Sequence, residues 1–136
     1  MKKKRIGLIL SLALAAMAFA LAGPLFALGK QGGALMSPAQ AKAVMDEGRP
    51  HVLLDVRTRD EHLERRIPGS VLLPYTLITA ESATRLIPAK DSLDIVYCRS
   101  GRRSAIAASS LRDLGYTQVF DLGGINAWPY PTESGE

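Results

Sequence analysis

The hydrophobic pattern of the chain falls into two unlike parts. Ile6 to Leu28 runs for 23 residues without a charge, directly behind Lys2, Lys3, Lys4 and Arg5. Beyond Gly29–Gly33, short apolar runs alternate with stretches in which small and apolar residues recur at helical spacing. Ser37-Pro38 predicts a helix start, with Ser37 as cap and Pro38 at the first helical position. That helix runs through Ala39, Ala43 and Val44 and stops near Gly48. Val52 to Val56 is a short apolar run suited to a buried parallel strand. Thr58 to Arg66 is charged and predicted helical, with Thr58 as cap and Glu61 three residues on.

Pro68-Gly69 predicts a turn, and Ser70 to Leu73 a second strand. Tyr75 to Ala89 contains weak helical pieces broken by Pro88. Asp94 to Cys98 reads as a third buried strand. Arg103 to Leu114 is a helix with Ala107, Leu111 and Leu114 on one face and Gly115 as its stop. Its other face carries Ala105 and Ile106, which predicts a well-buried helix. Gln118 to Leu122 is the last strand. Strands alternating with helices predict an α/β domain with a mainly parallel central sheet flanked by helices.

The first part does not belong to that domain. A basic start and an apolar stretch describe an export signal, and Ala18-Phe19-Ala20 or Ala20-Leu21-Ala22 offers a small-x-small cleavage pattern. The apolar stretch also exceeds the usual signal core of about 7–15 residues and reaches the ~20 needed to span a bilayer. Residues 1–28 are therefore a signal peptide, an uncleaved membrane anchor or, least in keeping with the pattern, a core helix. Signal and anchor both leave the basic end in the cytoplasm and the domain outside, in the periplasm or an equivalent space. Gly29–Gly33 reads as a flexible linker, residues 34–130 as the domain, and residues 131–136 as a polar tail.

Charge narrows the choice of function. The chain of 136 residues has 17 Lys and Arg against 13 Asp and Glu, and four of the cations are Lys2 to Arg5. Without those four the charges balance, so the domain has no basic field to hold nucleic acid. Cys98 is the single cysteine. It can form no intrachain disulfide and cannot complete a multi-cysteine zinc site. His51 and His62 stand eleven apart with no ligand partner in view, and read as surface histidines.

The candidate chemistry lies where a strand meets a helix. In Val96 to Ala108 the strand ends at Cys98, a short loop follows, and a helix begins near Arg103. Backbone N–H groups of such a loop form an anion cradle, and the helix N-terminus adds positive potential. Gly101 permits the tight turn. Arg99, Arg102 and Arg103 place three cations within five residues of the sulfur. Each effect favours thiolate, so the thiol pKa of Cys98 is expected to be lowered, which makes it a nucleophile.

Several motifs in order make the chain similar to a single-domain rhodanese, a sulfurtransferase. They are Asp55-Val56-Arg57, the turn Ile67 to Ser70, the loop Tyr97 to Ser104, the helix end Leu111 to Tyr116, and Leu122 to Trp128. The resemblance covers about Leu35 to Trp128 and departs at Arg65-Arg66, where that family often has Gly-His. It implies a rhodanese-like fold and a catalytic Cys98 that becomes a persulfide. It implies a substrate cradle of Arg99, Ser100, Gly101, Arg102 and Arg103. The expected donor is a small anion such as thiosulfate, and the acceptor is cyanide or an external thiol. No metal or organic cofactor is expected. The domain is expected to be a monomer that meets the membrane only through an uncleaved N-terminal segment.

Asp55, Arg57, Glu61 and Ser104 are candidate supporting residues. Asp55 ends a strand, as Cys98 does, and either bonds the active loop or caps the next helix. Arg57 and Glu61, four apart, are expected to form an ion pair. Tyr97 and Trp128 read as core. A general-base role for His62 is disfavoured, since a thiolate needs none to attack a sulfane sulfur. Two other classes compete. A cysteine phosphatase would carry its arginine six positions after the cysteine, where this chain has Ser104, with Arg103 at five. A non-catalytic binding module of the same fold would usually lack the cysteine.

Overall fold

A computed structural model describes residues 34–87 and 89–136. The expected export segment 1–28, the linker 29–33 and the helix break at Pro88 lie outside the described residues. Among the described residues no helix is long and apolar enough to cross a membrane.

Five parallel strands form one sheet: β1 (Ala34–Leu35), β2 (Val52–Asp55), β3 (Val71–Leu72), β4 (Leu93–Cys98) and β5 (Gln118–Gly124). Their order is β1-β5-β4-β2-β3. Four helices, α1 (Pro38–Asp46), α2 (Arg59–Glu64), α3 (Ala80–Leu86) and α4 (Arg102–Asp113), flank it, with 3-10 turns at Tyr75–Leu77 and Ile125–Ala127. This is the expected α/β fold with a parallel central sheet.

Alternation along the strands builds two core layers. Leu54, Val56, Val96 and Cys98 face Ala83 and Ile87 of the α3 region and Ala107, Ala108 and Leu111 of α4. Leu53, Ile95, Tyr97, Phe120 and Leu122 face Ala41 and Val44 of α1, with Ile125 and Trp128. The sheet is thus covered on both faces, as a parallel sheet requires.

Local chemistry sets the helix ends. Reciprocal capping boxes start α1 (Ser37 with Gln40), α2 (Thr58 with Glu61) and α3 (Thr79 with Ser82). At the end of α4, Gly115 takes φ +95°, its N–H donates to Arg112 O at 2.9 Å, and the Tyr116 N–H donates to Leu111 O at 3.1 Å. That pair of bonds is a Schellman motif.

The structure departs from expectation in four places. A two-residue strand, β1, precedes α1 at the sheet edge. Helix α2 stops at Glu64, because Arg65 is extended at φ −162° and ψ 129°. Ala105 and Ile106 are exposed, so α4 buries only the face of Ser104, Ala107, Ala108 and Leu111. Residues 131–136 do not leave the domain as a tail but return along α2. There Arg66 pairs with Glu133 in an antiparallel bridge, and the Gly135 N–H donates to Leu63 O at 2.8 Å.

Candidate active site

From β2 the chain crosses to β3 on one side, and from β4 it crosses to β5 on the other. The carboxyl ends of β2 and β4 lie side by side at this divergence, with Asp55 opposite Tyr97. Open parallel sheets bind ligands at such a point. Cys98 closes β4 there, and α4 begins four residues later.

Three glycines make the loop possible. Gly101, the cap of α4, has φ +111°, a conformation that a side chain would strain. Its N–H donates to Cys98 Sγ at 3.0 Å. Behind the loop, β5 carries a bulge: Val96 pairs with Asp121 but Tyr97 pairs with Gly123, leaving Leu122 extra. Gly123, at φ +84°, has its N–H held by the Asp121 carboxylate at 2.8 Å. The bulge brings Gly124 beside Cys98, where an added Cβ would stand 2.3 Å from Arg99 O and 2.7 Å from Ser100 Cα. The Asn126 N–H donates to Arg99 O at 3.2 Å and fixes the loop from the same side.

The thiol pKa of Cys98 is lowered, as the loop pattern predicts, but the arginines do not lead the effect. Burial of the sulfur, only 1% exposed, pushes the other way and is the largest influence. The Ser104 hydroxyl and the N–H groups of Ser104, Gly101 and Ser100 outweigh it by donating to the charged form. Ser104 is fully buried on the first turn of α4, and its Oγ also lies 3.0 Å from Gly101 O. A hydroxyl has one proton to give. Its hydrogen bond is to that carbonyl, so its proton can serve the carbonyl or the sulfur, not both.

The three loop arginines divide. Arg99 and Arg102 are exposed. Arg103 is half-buried and committed: both terminal nitrogens donate to the Glu61 carboxylate at 2.8 Å. Glu61 also closes the capping box of α2, and Arg103 leads the influences that hold its pKa down at about 2. The expected Arg57–Glu61 pair is therefore replaced. Arg57 sits before the cap Thr58, off the helix, so the four-residue spacing does not bring it over Glu61.

Arg57 instead grips Asp55, with Nε at 2.8 Å and Nη2 at 2.6 Å. Asp55 is fully buried and accepts also from the Arg57 N–H, the Tyr97 hydroxyl at 2.9 Å and His62 Nδ1 at 2.9 Å. It thus neither caps α2 nor bonds the Cys98 loop. Burial alone would raise its pKa, but the bonds from Arg57 and His62 bring it below the ordinary value. Tyr97 is core, as expected, and is pushed up to about 12 by burial and the Asp55 charge. His62 is not a surface histidine; its side chain is 14% exposed and belongs to this network. Sequence reasoning missed the roles of the Tyr97 hydroxyl, His62, Gly124 and Asn126. Only Gly123-Gly124 left a local signal, as adjacent glycines at a strand end.

A cleft of about 470 Å³ opens beside the loop, lined by Arg57, Glu61, Glu64, Arg65, Arg99 and Asn126 among others. Among the described residues no group of three or more His, Cys, Asp or Glu is placed to hold a metal ion.

The rhodanese-like domain family matches residues 37–129. The chain is 42% identical over 78 residues to a sulfurtransferase of Allochromatium vinosum, covering 57% of this chain and 70% of that one. It is 30% identical over 82 residues to the thiosulfate sulfurtransferase PspE of Escherichia coli, covering 60% and 78%. It spans about a quarter of the length of several longer curated relatives. The solved structure of a rhodanese with anions from E. coli superposes with a TM-score of 0.59 at 28% identity, covering 62% of this chain and 99% of that one. The chain belongs to the rhodanese-like domain family. Both of the shorter relatives are named as sulfurtransferases.

Proposed function

We propose that the protein moves a sulfane sulfur from a small anionic donor, thiosulfate first among candidates, to cyanide or an external thiol, through a persulfide on Cys98. One observation carries the reading: a buried sulfur with lowered pKa accepts the Gly101 N–H at 3.0 Å where α4 begins. The Cys98 thiolate attacks the outer sulfur of thiosulfate. The S–S bond of the donor breaks, and sulfite leaves with its electron pair. The acceptor then attacks the outer sulfur of the persulfide, and Cys98 regains its thiolate. Both the resting sulfur and the persulfide are anions, and the same loop N–H groups serve both. Arg99 and Arg102 draw the donor in, and Arg103 frames the loop through Glu61. With no second cysteine in the chain, the acceptor comes from outside. The reading extends to a domain that works outside the cytoplasm, free or anchored by residues 1–28.

Mass spectrometry after thiosulfate treatment tests it. The intact protein should gain one sulfur atom that cyanide removes, and Cys98→Ser should gain none and lose all turnover while keeping its fold. Substantial turnover by folded Cys98→Ser would refute the mechanism.

A further inference from the structure

The segment 131–136 takes no part in the reaction as written, yet it holds the helix that carries Glu61. Helix α2 has six residues, too few to stand by its backbone bonds alone. Its amino end is closed by Thr58 and Glu61, but its last carbonyls need donors from elsewhere. Two come from this region: the Gly135 N–H reaches Leu63 O at 2.8 Å, and Arg66 Nη1 reaches His62 O at 3.3 Å.

Arg66 is fixed in turn by the segment. Its backbone exchanges two bonds with Glu133, at 2.9 and 3.0 Å. Its Nη1 donates to Gly135 O at 2.5 Å, and its Nε to the Glu133 carboxylate at 3.2 Å. The side chain is only 13% exposed, so these bonds are partly shielded from water. The same helix presents Glu61 to Arg103, and His62 to Asp55.

We propose that Glu133–Gly135, acting through Arg66, is a strap that positions α2 so that Glu61 keeps Arg103 at the rim of the Cys98 loop. Arg66 is then a positioning residue for the anionic donor. The inference rests on the sulfur-transfer reading, but half of its test needs no turnover.

The comparison uses the full chain carrying Arg66→Gln, a chain stopped after Tyr130, Glu61→Gln, and the Arg66→Gln/Glu61→Gln double variant. Hydrogen exchange of the α2 amides should quicken about tenfold or more in the first two, with β4 and α4 amides unchanged. The thiosulfate KM should rise about tenfold in both, with kcat held within about twofold. The double variant should have a KM no higher than Glu61→Gln alone, because Arg66 acts through Glu61. Unaltered α2 exchange overturns the strap. Faster exchange with an unaltered KM makes the segment structural only and overturns its role toward the donor. KM effects that multiply in the double variant overturn the route through Glu61. Absence of transfer by the wild-type chain would instead refute the sulfur-transfer reading, and with it the donor arm of this inference, while exchange still reports on the strap.

Discussion

Glu61 and Arg103, 42 residues apart, meet through two parallel 2.8 Å hydrogen bonds and tie α2 to the first turn of α4. The pair changes what the loop cation does. A guanidinium whose terminal nitrogens both face a carboxylate offers an incoming anion a balanced charge rather than a free one. Arg103→Ala therefore does more than remove a cation, because it leaves Glu61 unpaired at the cleft. The thiosulfate KM should rise about tenfold, less than a buried charged pair would give because both groups keep some water contact. Adding Glu61→Gln should recover most of that rise, since it removes the repelling carboxylate. Steady-state kinetics on the four proteins checks this, and no recovery in the double variant would show that Arg103 contacts the donor itself.

The same pair sets an acid limit. Glu61 titrates near 2 in the folded chain and near 4.5 when free, so its folded pKa is depressed. The pair then stabilises fully above the unfolded value and is lost as pH falls through the folded one. Unfolding of wild type and Glu61→Gln should differ at pH 6 and converge between about pH 4.5 and 2. A difference undiminished near pH 2 would mean that another group carries it.

Asp94 makes the opposite prediction at the far end of β4. It is fully buried, its Oδ1 takes the Ser92 hydroxyl at 2.7 Å, and its Oδ2 has no partner. Burial raises its pKa from 3.8 to about 6 despite the Ser92 bond. The unfolded chain loses this proton first, so the folded state is penalised increasingly from pH 3.8 to about 6 and fully above that. Asp94→Asn should raise stability at pH 8 by about 1–2 kcal/mol, with the gain vanishing below pH 4. Thermal unfolding across pH reads it, and a gain independent of pH would point to packing rather than charge.

Gly124→Ala is expected to be severe, although Ala suits a strand better than Gly. The new Cβ would meet backbone atoms of Arg99 and Ser100 rather than a side chain that could swing away. Loss of about 2 kcal/mol or more is expected, with sulfur transfer down at least about 100-fold as the loop shifts. An alanine variant of wild-type activity would show that the loop has slack behind it.

Much of this was legible because it is local. Ser37 as a cap and Thr58 with Glu61 three residues on are signals within four residues, and both form, Ser37 adding a reciprocal bond with Gln40. The loop from Cys98 to the start of α4 is one local stretch, so the direction of the thiol shift and the share of its N–H groups could be read from it, whereas the arginines were given a part that Ser104 plays. The Asp55 network could not. Tyr97 reaches Asp55 across 42 positions, and only strand order makes them neighbours. Ile106 misled because its apolar neighbours suggested burial, whereas the face of α4 turned to the sheet runs through Ser104, Ala107, Ala108 and Leu111. Strand β1 has two residues, too few for alternation to register, and exists because β5 offers it an edge.

That short edge also bears on association. Five parallel strands leave two flanks, and a flank of unpaired N–H and C=O groups is a template on which another chain can extend the sheet. Among the described residues both flanking strands are short: β1 is Ala34–Leu35 and β3 is Val71–Leu72. Strand β4, six residues, lies between β2 and β5, whereas β5, seven residues, meets β1 only at Phe120 and Asp121. Strand β4, with its run of buried residues, is thus covered once the domain has folded. Recruitment of β4 into aggregates would first require β2 or β5 to peel away.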